Sequence, residues 1–532
     1  MKKKILTCLI SLLGVVIGLS CTPRSSIEEK SVGDFLIISE SQTPSSINPL
    51  LTSTTFSANL SDIIFDSLVN LDEHFEVKPK LLASWEPSEN GLIWNFVLKK
   101  GIHFHDGEEL NAEDVVFTFE KIQSLPRGSP FNFIFQFIKK ISKTGEYKFQ
   151  IELERPNSSF LQSLDFGILP KHRLEGEDLL TTPFNKHPIG TGPFNIKTWS
   201  KKEIALKANP DYFLGRPFLD GIIVNFFLSQ EAAWAKLIAG EVDFFFFLTP
   251  RNFASLKQVP SFNVFSVPKP YYYLIAFNLE NDLFSDKKIR QALNYAVNKK
   301  EIIEKVLHGQ GEVAQGTIFP GSWAFDPEVD PYEFNPQKAI ALLKEAGWED
   351  RDGDYLIEQK GKPFEFSVHV NRGDDLKEKT LLLVQQHLYD IGIKMNITLF
   401  DAAQMDFLFK KQFQSFFPEI TDRGNPDFSY KHWHSSQMKN GFNVSSYMNP
   451  KVDRFLEEGR VSLDSDERRK AYFKYQKEIR EDPPGIYLFW TNYLVGIHNR
   501  FRGVKISSLG PLSNVREWYV PKQEQKHSVQ NE

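Results

Sequence analysis

The chain of 532 residues is longer than one hydrophobic core can organise, since cores stop growing at roughly 250–300 residues, so at least two domains are expected. Hydrophobic residues make up 41% and charged residues 25%, a composition typical of a soluble protein with sizeable cores. The net charge of −5 argues against the strongly basic surface of a nucleic-acid-binding protein, so no nucleic acid is predicted as a partner.

The N-terminus has the pattern of an export signal. Residues 1–4 (MKKK) are basic, and residues 5–19 form a largely apolar run that matches the length of a signal-peptide core but is short for a membrane span. The run ends just before Cys21, and a polar stretch follows it. The pattern predicts a signal peptide over 1–20 and a flexible tether over 21–32.

The two cysteines fit the same interpretation. Cys8 would leave with the signal peptide, so Cys21 would be the one thiol of the mature chain and no intrachain disulfide could form. Residues 18–21 (GLSC) resemble a bacterial lipobox, with Gly18 where that motif usually has Leu. The resemblance implies a diacylglycerol on Cys21 that anchors an exported protein to a membrane; the alternative is that Cys21 is incidental. No other stretch approaches 18 apolar residues, which argues against a channel or permease.

Strand and helix patterns alternate along the rest of the chain. Residues 34–39, 92–98, 147–153 and 394–399 have strand patterns. Helical spacing is found at 59–71, 285–307, 376–391, 450–462 and 464–479, at 111–121 with Asn111 as cap, and at 335–345 between Asn335-Pro336 and Gly347. This alternation predicts α/β lobes with mainly parallel or mixed sheets.

Several short phrases, in order over about 400 residues, resemble the family 5 extracellular solute-binding proteins. That family comprises the peptide-, dipeptide- and nickel-binding components of ABC importers. The phrases are 79–85 (PKLLASW), 94–101 (WNFVLKKG), 104–107 (FHDG), 112–115 (AEDV), 190–194 (GTGPF), 209–213 (NPDYF), 289–298 (IRQALNYAVN) and 447–453 (YMNPKVD). Most of these phrases indicate the fold rather than the function. A tight turn where two backbones pass closely would explain Gly190, Gly192 and Pro193, for example.

The resemblance implies a large type II periplasmic-binding-protein fold with a hinged cleft between two lobes. The first lobe would span 33–267, with an inserted subdomain near 62–185, and the second 268–488; residues 489–532 would return to the first lobe. The implied function is to capture peptides and deliver them to the permease of an ABC importer, as a monomer without cofactor or catalysis.

Two charged residues are candidates for binding the ends of a peptide. Residues 421–427 (TDRGNPD) match the segment in which relatives place an Asp four residues before a Pro, and this implies that Asp422 pairs with the α-ammonium. Relatives often have Trp where this chain has Glu419. Arg372, in 368–373 (VHVNRG), matches an Arg that faces the ligand carboxylate in dipeptide-binding relatives. A turn Asp and a surface Arg are the structural alternatives.

The remaining candidates are aromatic or hydroxyl residues. Relatives contact the ligand from the segment 271–278 (YYYLIAFN), which nominates Tyr272 or Tyr273; strand alternation places these two side chains on opposite faces. Thr54, with its neighbours Ser53 and Thr55, lies where relatives approach the ligand from the first lobe. Trp433 and Trp490 are further candidates. For all of them a role in the core is the alternative.

Other functions remain open at this stage. Residues 350–354 (DRDGD) contain part of a calcium-loop pattern but fit a glycine turn better, and the pairs His103/His105 and His432/His434 lack further metal ligands, so no metal site is predicted. A secreted hydrolase is the rival class, although GxSxG and HExxH motifs are absent. A sensor or surface adhesin that does not serve import is a third alternative on the same scaffold. A nickel chelate or an oligosaccharide is the alternative ligand.

Overall fold

The computed structural model describes residues 30–41, 43–52, 54–125, 129, 131, 137–401, 404–439 and 441–527. The predicted signal peptide, Cys21, most of the tether and Ser53 lie outside these residues. Within the described part of the chain, no helix combines the length and hydrophobicity needed to cross a membrane.

Twenty strands are described, and we label them β1 to β20 in chain order. They are Phe35–Glu40, Val69–Leu71, Val77–Pro79, Leu82–Pro87, Ile93–Leu98, Ile138–Gly145, Lys148–Leu153, Phe194–Trp199, Glu203–Ala208, Gly221–Phe226, Phe244–Phe245, Phe262–Phe277, Gly311–Val313, Glu358–Gln359, Lys362–Pro363, Glu365–Asn371, Lys394–Phe400, Ser415–Phe416, Glu419–Thr421 and Gly485–His498.

The described α-helices are labelled α1 to α13 in the same way. They are Thr55–Ile64, Ala112–Gln123, Lys171–Leu174, Gln230–Ile238, Pro250–Leu256, Lys287–Ala296, Lys299–Lys305, Pro336–Glu345, Asp375–Tyr389, Asp406–Phe409, Phe428–Trp433, Pro450–Val461 and Ser465–Glu481. Short 3₁₀ turns occupy Ser158–Leu164, Pro183–Asn185, Asp282–Phe284, Ser435–Gln437, Val515–Glu517 and Lys522–Glu524.

One large mixed sheet runs through the molecule. Its strand order is β17-β16-β18-β12-β20-β11-β1-β10-β9-β8, with β13 added on β20 and β19 on β12. β1 pairs in parallel with β10 and β11, and β16 with β17 and β18, whereas β12 and β20 are antiparallel. A separate four-stranded sheet, β4-β5-β7-β6, lies in the inserted segment.

The buried apolar residues form separate cores that define two lobes. Two clusters draw on residues 36–262 and 493–520, and we call this part the first lobe. Two others draw almost entirely on residues 272–490, which we call the second lobe; Leu71 and Phe75 of the inserted segment join one of these clusters. The residue-level domain boundaries given by the sequence remain predictions, but these cores are compatible with them.

The two long strands β12 and β20 carry the chain between the lobes. They pair from Phe262 opposite His498 to Ala276 opposite Gly485, and the register is interrupted between Pro268 and Tyr272. Proline has no backbone N–H to donate to a ladder, so the prolines at 268 and 270 weaken pairing where the strands leave the first core. A weakly paired double crossover is the kind of segment that acts as a hinge.

Two helix predictions are wrong. The apolar spacing over 59–71 predicts one helix, but α1 ends at Ile64, and Phe65 is extended at φ −117° and ψ 147°. The next residue, Asp66, has its carboxylate fixed by Lys80 at 3.1 Å and by the hydroxyl of Tyr212 at 2.9 Å. The pattern at 285–307 is two helices, because Val297 is extended and Asn298 caps α7 through the N–H of Glu301.

The structure confirms the predicted helix caps and the predicted glycine turn. Asn111 caps α2 and Asn335 caps α8 ahead of Pro336, as the sequence predicts. Gly190 and Gly192 form the predicted close approach, since a Cβ on Gly192 would lie 2.6 Å from the carbonyl carbon of Ile64. The ring of His105 links these two glycines, with Nε2 3.0 Å from the oxygen of Gly192 and Nδ1 3.2 Å from the nitrogen of Gly190.

Candidate ligand-binding site

Asp422 occupies a buried turn directly after β19 and is only 2% exposed. Its Oδ2 accepts a hydrogen bond from the backbone N–H of Phe319 at 2.8 Å, and its Oδ1 accepts one from Gly424 at 2.8 Å. These two donors hold the carboxylate in one orientation. The segment therefore presents a fixed, desolvated acid in the second lobe.

The Asp422 carboxylate has no cationic partner among the described residues. Burial raises the pKa of this carboxyl to about 7, although the backbone N–H groups of Gly424 and Phe319 lower it. A buried carboxylate without a cation is costly, and it gains free energy from any ammonium that reaches it. The arrangement is thus suited to bind an amine.

An aromatic group adjoins this acid through Phe319, whose backbone N–H binds Asp422 and whose ring lies 5.4 Å from that of Trp490. The ring of Tyr272 lies 5.1 Å from that of Trp490, and its hydroxyl oxygen accepts a hydrogen bond from Nε1 of Trp433 at 3.3 Å. All three side chains are buried, and Trp490 Nε1 has no hydrogen-bond partner among the residues that the structure describes. Tyr273 lies on the opposite face of β12 and packs against Phe489 in the other core of the second lobe. The predicted alternation along this strand is therefore confirmed.

The two lobes are in contact around Asp422. Nε2 of Gln162 donates hydrogen bonds to the carbonyl oxygens of Phe75 at 3.3 Å and Gly424 at 3.1 Å, and so joins the first lobe to the Asp422 turn. Arg468 Nη2 of the second lobe donates to Ser159 Oγ of the first at 2.9 Å. The acid is consequently enclosed between the lobes.

Comparison with known proteins places this geometry in a family. A sequence profile of the bacterial extracellular solute-binding proteins, family 5 (middle), matches residues 76–452. The chain belongs to family 5 of the bacterial extracellular solute-binding proteins. Members of this family are binding proteins rather than enzymes, and they are extracellular or periplasmic.

Relatives of this family 5 protein match it over almost its full length. It is 32% identical to the oligopeptide-binding protein AppA of Bacillus subtilis over 94% of each chain. It is 27% identical to the dipeptide-binding protein of Escherichia coli, over 92% of this chain and 94% of that protein.

Solved structures confirm the two-lobed α/β fold. The structure of B. subtilis AppA in complex with a nonapeptide matches with a TM-score of 0.78 at 31% identity, covering 93% of this chain and all of that one. The structure of NikZ from Campylobacter jejuni in complex with Ni(L-His) matches with a TM-score of 0.78 at 30% identity, covering 91% and 99%.

Two sequence candidates of this family 5 protein lie apart from the aromatic group. Arg372 follows β16, is 60% exposed in its side chain, and pairs through Nε with Asp401 at 3.3 Å. Thr54 is exposed and caps α1 by accepting a hydrogen bond from the N–H of Ser57. Among the described contacts, none joins either residue to Asp422, so their roles in binding stay predictions.

Several charged or polar residues of the cleft region were not predicted from the sequence. Asp62 and Asp165 line one cavity of the first lobe, and the charge of Arg423, next to Asp422 in the chain, acts on both of them. Gln162, which bridges the lobes, was also missed. Only Arg423 had a usable signal, its position beside the predicted amine ligand; the others come together through contacts of long sequence separation.

The one acidic group that could hold a metal among the described residues lies at the surface. It comprises Asp350, Asp352 and Glu358. Their oxygens accept hydrogen bonds from backbone N–H groups of the same loop, from Gly353 to Asp350 and from Arg351 to Glu358. This pattern is that of the glycine turn predicted from the sequence.

Proposed function

We propose that this protein captures peptides between its two lobes and holds the peptide α-ammonium at Asp422. The observation that carries the proposal is the buried, hydrogen-bonded carboxylate, which no cationic side chain of the described residues pairs with. An ammonium supplies the missing charge, and its N–H groups find the remaining lone pairs of the carboxylate. The names of the relatives, an oligopeptide-binding and a dipeptide-binding protein, support the same ligand class.

The aromatic group forms the wall beside the amine. Tyr272, Trp433 and Trp490 are large, rigid and buried, and they exclude water from one side of Asp422. Exclusion of water strengthens the ion pair with the ammonium. Tyr273 supports β12 from the opposite face and acts through the position of Tyr272.

Closure of the lobes completes the site. Gln162 and Ser159 hold the first lobe against the second, and the crossover of β12 and β20 allows the lobes to separate for entry and release. The closed, liganded form presents a surface that differs from the open form. We infer that the permease of an ABC importer distinguishes the two.

We propose the location of the protein from its N-terminal pattern. Removal of residues 1–20 and lipidation of Cys21 would attach an exported monomer to a bacterial membrane, as a periplasmic or cell-surface lipoprotein. Metabolic labelling with an alkyne-tagged fatty acid tests this: the wild type takes up label, and Cys21→Ser does not.

Native mass spectrometry of the purified mature protein tests the ligand class. Co-purified peptides released by denaturant support the proposal, and loss of these peptides in Asp422→Asn assigns the amine site. Cleavage of a peptide library would instead support the secreted hydrolase. Thermal stabilisation by Ni(L-His) or an oligosaccharide, without any by peptides, would favour the alternative ligands; the likeness to NikZ makes the nickel chelate the first of these to test.

A further inference from the structure

A cavity of about 300 Å³ lies in the first lobe, at the base of the inserted segment. Its walls come from α1 and the chain after it, from residues 165–167, from residues 193–214 and from the C-terminal loop 509–517. Leu71 and Leu509 line the cavity and also contact the aromatic cluster of the second lobe, so the cavity adjoins the proposed peptide site. Its size is at the lower end of the roughly 300–1,000 Å³ typical of small-molecule sites.

Two of the carboxylates in the cavity wall form no ion pair within the part of the chain that the structure describes. Lys80 is bound to Asp66 at 3.1 Å, and Arg516 pairs with Glu517 at 3.4 Å. Asp62 and Asp165 also line the cavity, and their side chains are open to it.

Neither of these two acids forms an ion pair with another described residue within 4 Å. The hydroxyl of Ser67 donates its proton to the carbonyl oxygen of Val69 at 2.5 Å. It lowers the pKa of Asp165, while the charges of neighbouring residues act on Asp62 from a longer range. Two carboxylates that are not ion-paired with any described residue therefore face one cavity.

Asn59 adds a neutral acceptor on the same wall. Its side chain is 8% exposed, and Nδ2 donates to the carbonyl oxygen of Thr55 at 2.7 Å, which fixes the orientation of the amide. Oδ1 accepts no hydrogen bond from any described residue. Because Asn59 and Asp62 are three positions apart on α1, they lie on one face of the helix and point to the same side.

We propose that this cavity binds a cationic side chain of the captured peptide, so that the protein prefers peptides with a lysine or arginine. This inference rests on the proposed function and adds a preference to it. The carboxylates of Asp62 and Asp165 and the Oδ1 of Asn59 offer three acceptor groups to an ammonium or guanidinium group. The methylene stem of such a side chain packs against the apolar wall that includes Ile63 and Phe166.

Electrostatics supports the assignment. Burial, and then the charge of Asp165, raise the pKa of Asp62 to about 6, and burial raises the pKa of Asp165 as well. Both side chains are exposed, so a ligand that enters the cavity can reach both carboxyl groups. Arg423 and Lys80 lower these pKa values without reaching either group, and a bound cation would remove the remaining repulsion.

Matched peptides test the preference. Calorimetry measures the affinity of the mature protein for alanine pentapeptides that carry one lysine at each position in turn, and for the same peptides with the neutral, similarly shaped norleucine. We expect lysine to bind at least about tenfold more tightly than norleucine at one or more positions, since hydrogen bonds to charged groups contribute more than neutral ones.

Single variants assign the effect to the two acids. Asp62→Asn and Asp165→Asn should each reduce the lysine preference while norleucine peptides bind as before, because each variant removes a charge without removing volume. The control Asp352→Asn removes an exposed charge elsewhere and should leave the preference unchanged. Circular dichroism and thermal unfolding confirm the fold of each variant, and two separate positions keep the test valid if one fails to fold.

The outcomes are distinguishable. Norleucine peptides that bind as well as every lysine peptide would overturn the cation pocket and leave the peptide carrier intact. An equal loss of preference in Asp352→Asn would overturn it too, by showing a general effect of net charge. If neither peptide series bound, the proposed function would fail, and the pocket for a peptide side chain would fail with it.

Discussion

Nε2 of Gln162 in the first lobe lies 3.1 Å from the carbonyl oxygen of Gly424, two residues beyond Asp422 in the second lobe. Gln162 is buried, and its other Nε2 proton goes to the oxygen of Phe75 in the inserted segment. One amide therefore joins the turn that holds the proposed amine ligand to the opposite wall of the cleft. The hydrogen bond from Gln162 to Gly424 therefore contributes both to closure of the lobes and to the position of the proposed amine ligand.

Replacement of this amide should weaken peptide binding. Gln162→Met keeps the volume of the side chain but removes the hydrogen bond to Gly424, and one such bond contributes about 0.5–1.5 kcal/mol. We expect affinity to fall between about twofold and about tenfold, through faster dissociation, and small-angle scattering of the ligand-free protein to show a larger radius of gyration. Ser163→Ala, at the neighbouring position, is the control. Unchanged affinity and size in Gln162→Met would remove this contact from the closing mechanism.

Peptide affinity should depend on the protonation of Asp422. The pKa near 7 means that the free protein carries a neutral Asp422 at acidic pH, so binding of an ammonium must release a proton. For an all-alanine peptide the association constant should fall by about tenfold per pH unit between pH 6 and pH 5. Calorimetry in buffers of different ionisation enthalpy measures the released proton directly.

The raised pKa of Asp422 also makes the free energy of unfolding depend on pH. The raised pKa means that the folded state binds this proton more tightly than the unfolded chain does, so Asp422 stabilises the ligand-free protein at acidic pH. Its contribution is lost as the pH rises through about 7. Asp422→Asn has no carboxyl group at this position, so it should remove the pH dependence of both peptide affinity and stability that arises from Asp422. It serves as the control. An affinity that is flat from pH 5 to 8 in the wild type would contradict the amine assignment.

Helix ends that depend on local residues could be predicted from the sequence more accurately than contacts between distant segments. Asn335, Pro336 and Gly347 mark both ends of α8 within a dozen residues, so that helix could be bounded from the sequence. The break at Val297 could not, because apolar spacing continues through it and only the cap at Asn298 separates α6 from α7.

The candidate site shows the same division. Asp422 was found through a motif of seven residues, whereas its environment depends on Phe319, about a hundred residues away in the chain. Asp62 and Asp165 are likewise about a hundred residues apart in the chain, and the fold of the inserted segment brings them close enough for their charges to interact. Periodicity and turn signals report the neighbours of a residue along the chain, and these contacts are between distant segments.

The role of Arg372 can be decided with amidated peptides. If its guanidinium binds the ligand carboxylate, Arg372→Ala should weaken peptides with a free C-terminus by about tenfold or more and leave C-terminal amides unaffected. Asp401→Asn should have the opposite effect, because it frees Arg372 from its ion pair. Arg423→Ala is the informative comparison, since Arg423 adjoins Asp422. A selective loss of free-acid binding in Arg423→Ala alone would transfer the role to that residue.

Stability of the second lobe should depend on a buried ion pair. Arg460 Nε and Nη2 each donate to Asp427 at 2.7 Å, and both side chains are largely buried. Arg460→Met leaves Asp427 enclosed without a cation and should cost about 3–5 kcal/mol of unfolding free energy in urea. The exposed pair of Arg454 and Glu458 provides the control, because Arg454→Met should cost less than about 1 kcal/mol.

A double variant separates charge from packing at this pair. Arg460→Met with Asp427→Leu removes both charges, so it should recover much of the stability that the single variant loses. If the double variant is no more stable than Arg460→Met, the loss is one of packing, including the contact of the guanidinium 3.6 Å over the ring of Tyr430.

The glycine turn at 190–192 should be intolerant of any side chain because it supports α1. The N–H of Gly192 donates to the oxygen of Ile64 at 2.9 Å, and a Cβ at this position would lie 2.6–2.7 Å from backbone atoms of Ile63 and Ile64. Gly192→Ala must therefore displace the end of the helix that carries Asp62. We expect a loss of more than about 2 kcal/mol of unfolding free energy, the range of overpacked cores, together with a reduced lysine preference. Gly316→Ala, where a Cβ would meet nothing within 4 Å, should change neither quantity; equal losses in the two variants would show that the close approach at Ile64 is not the cause.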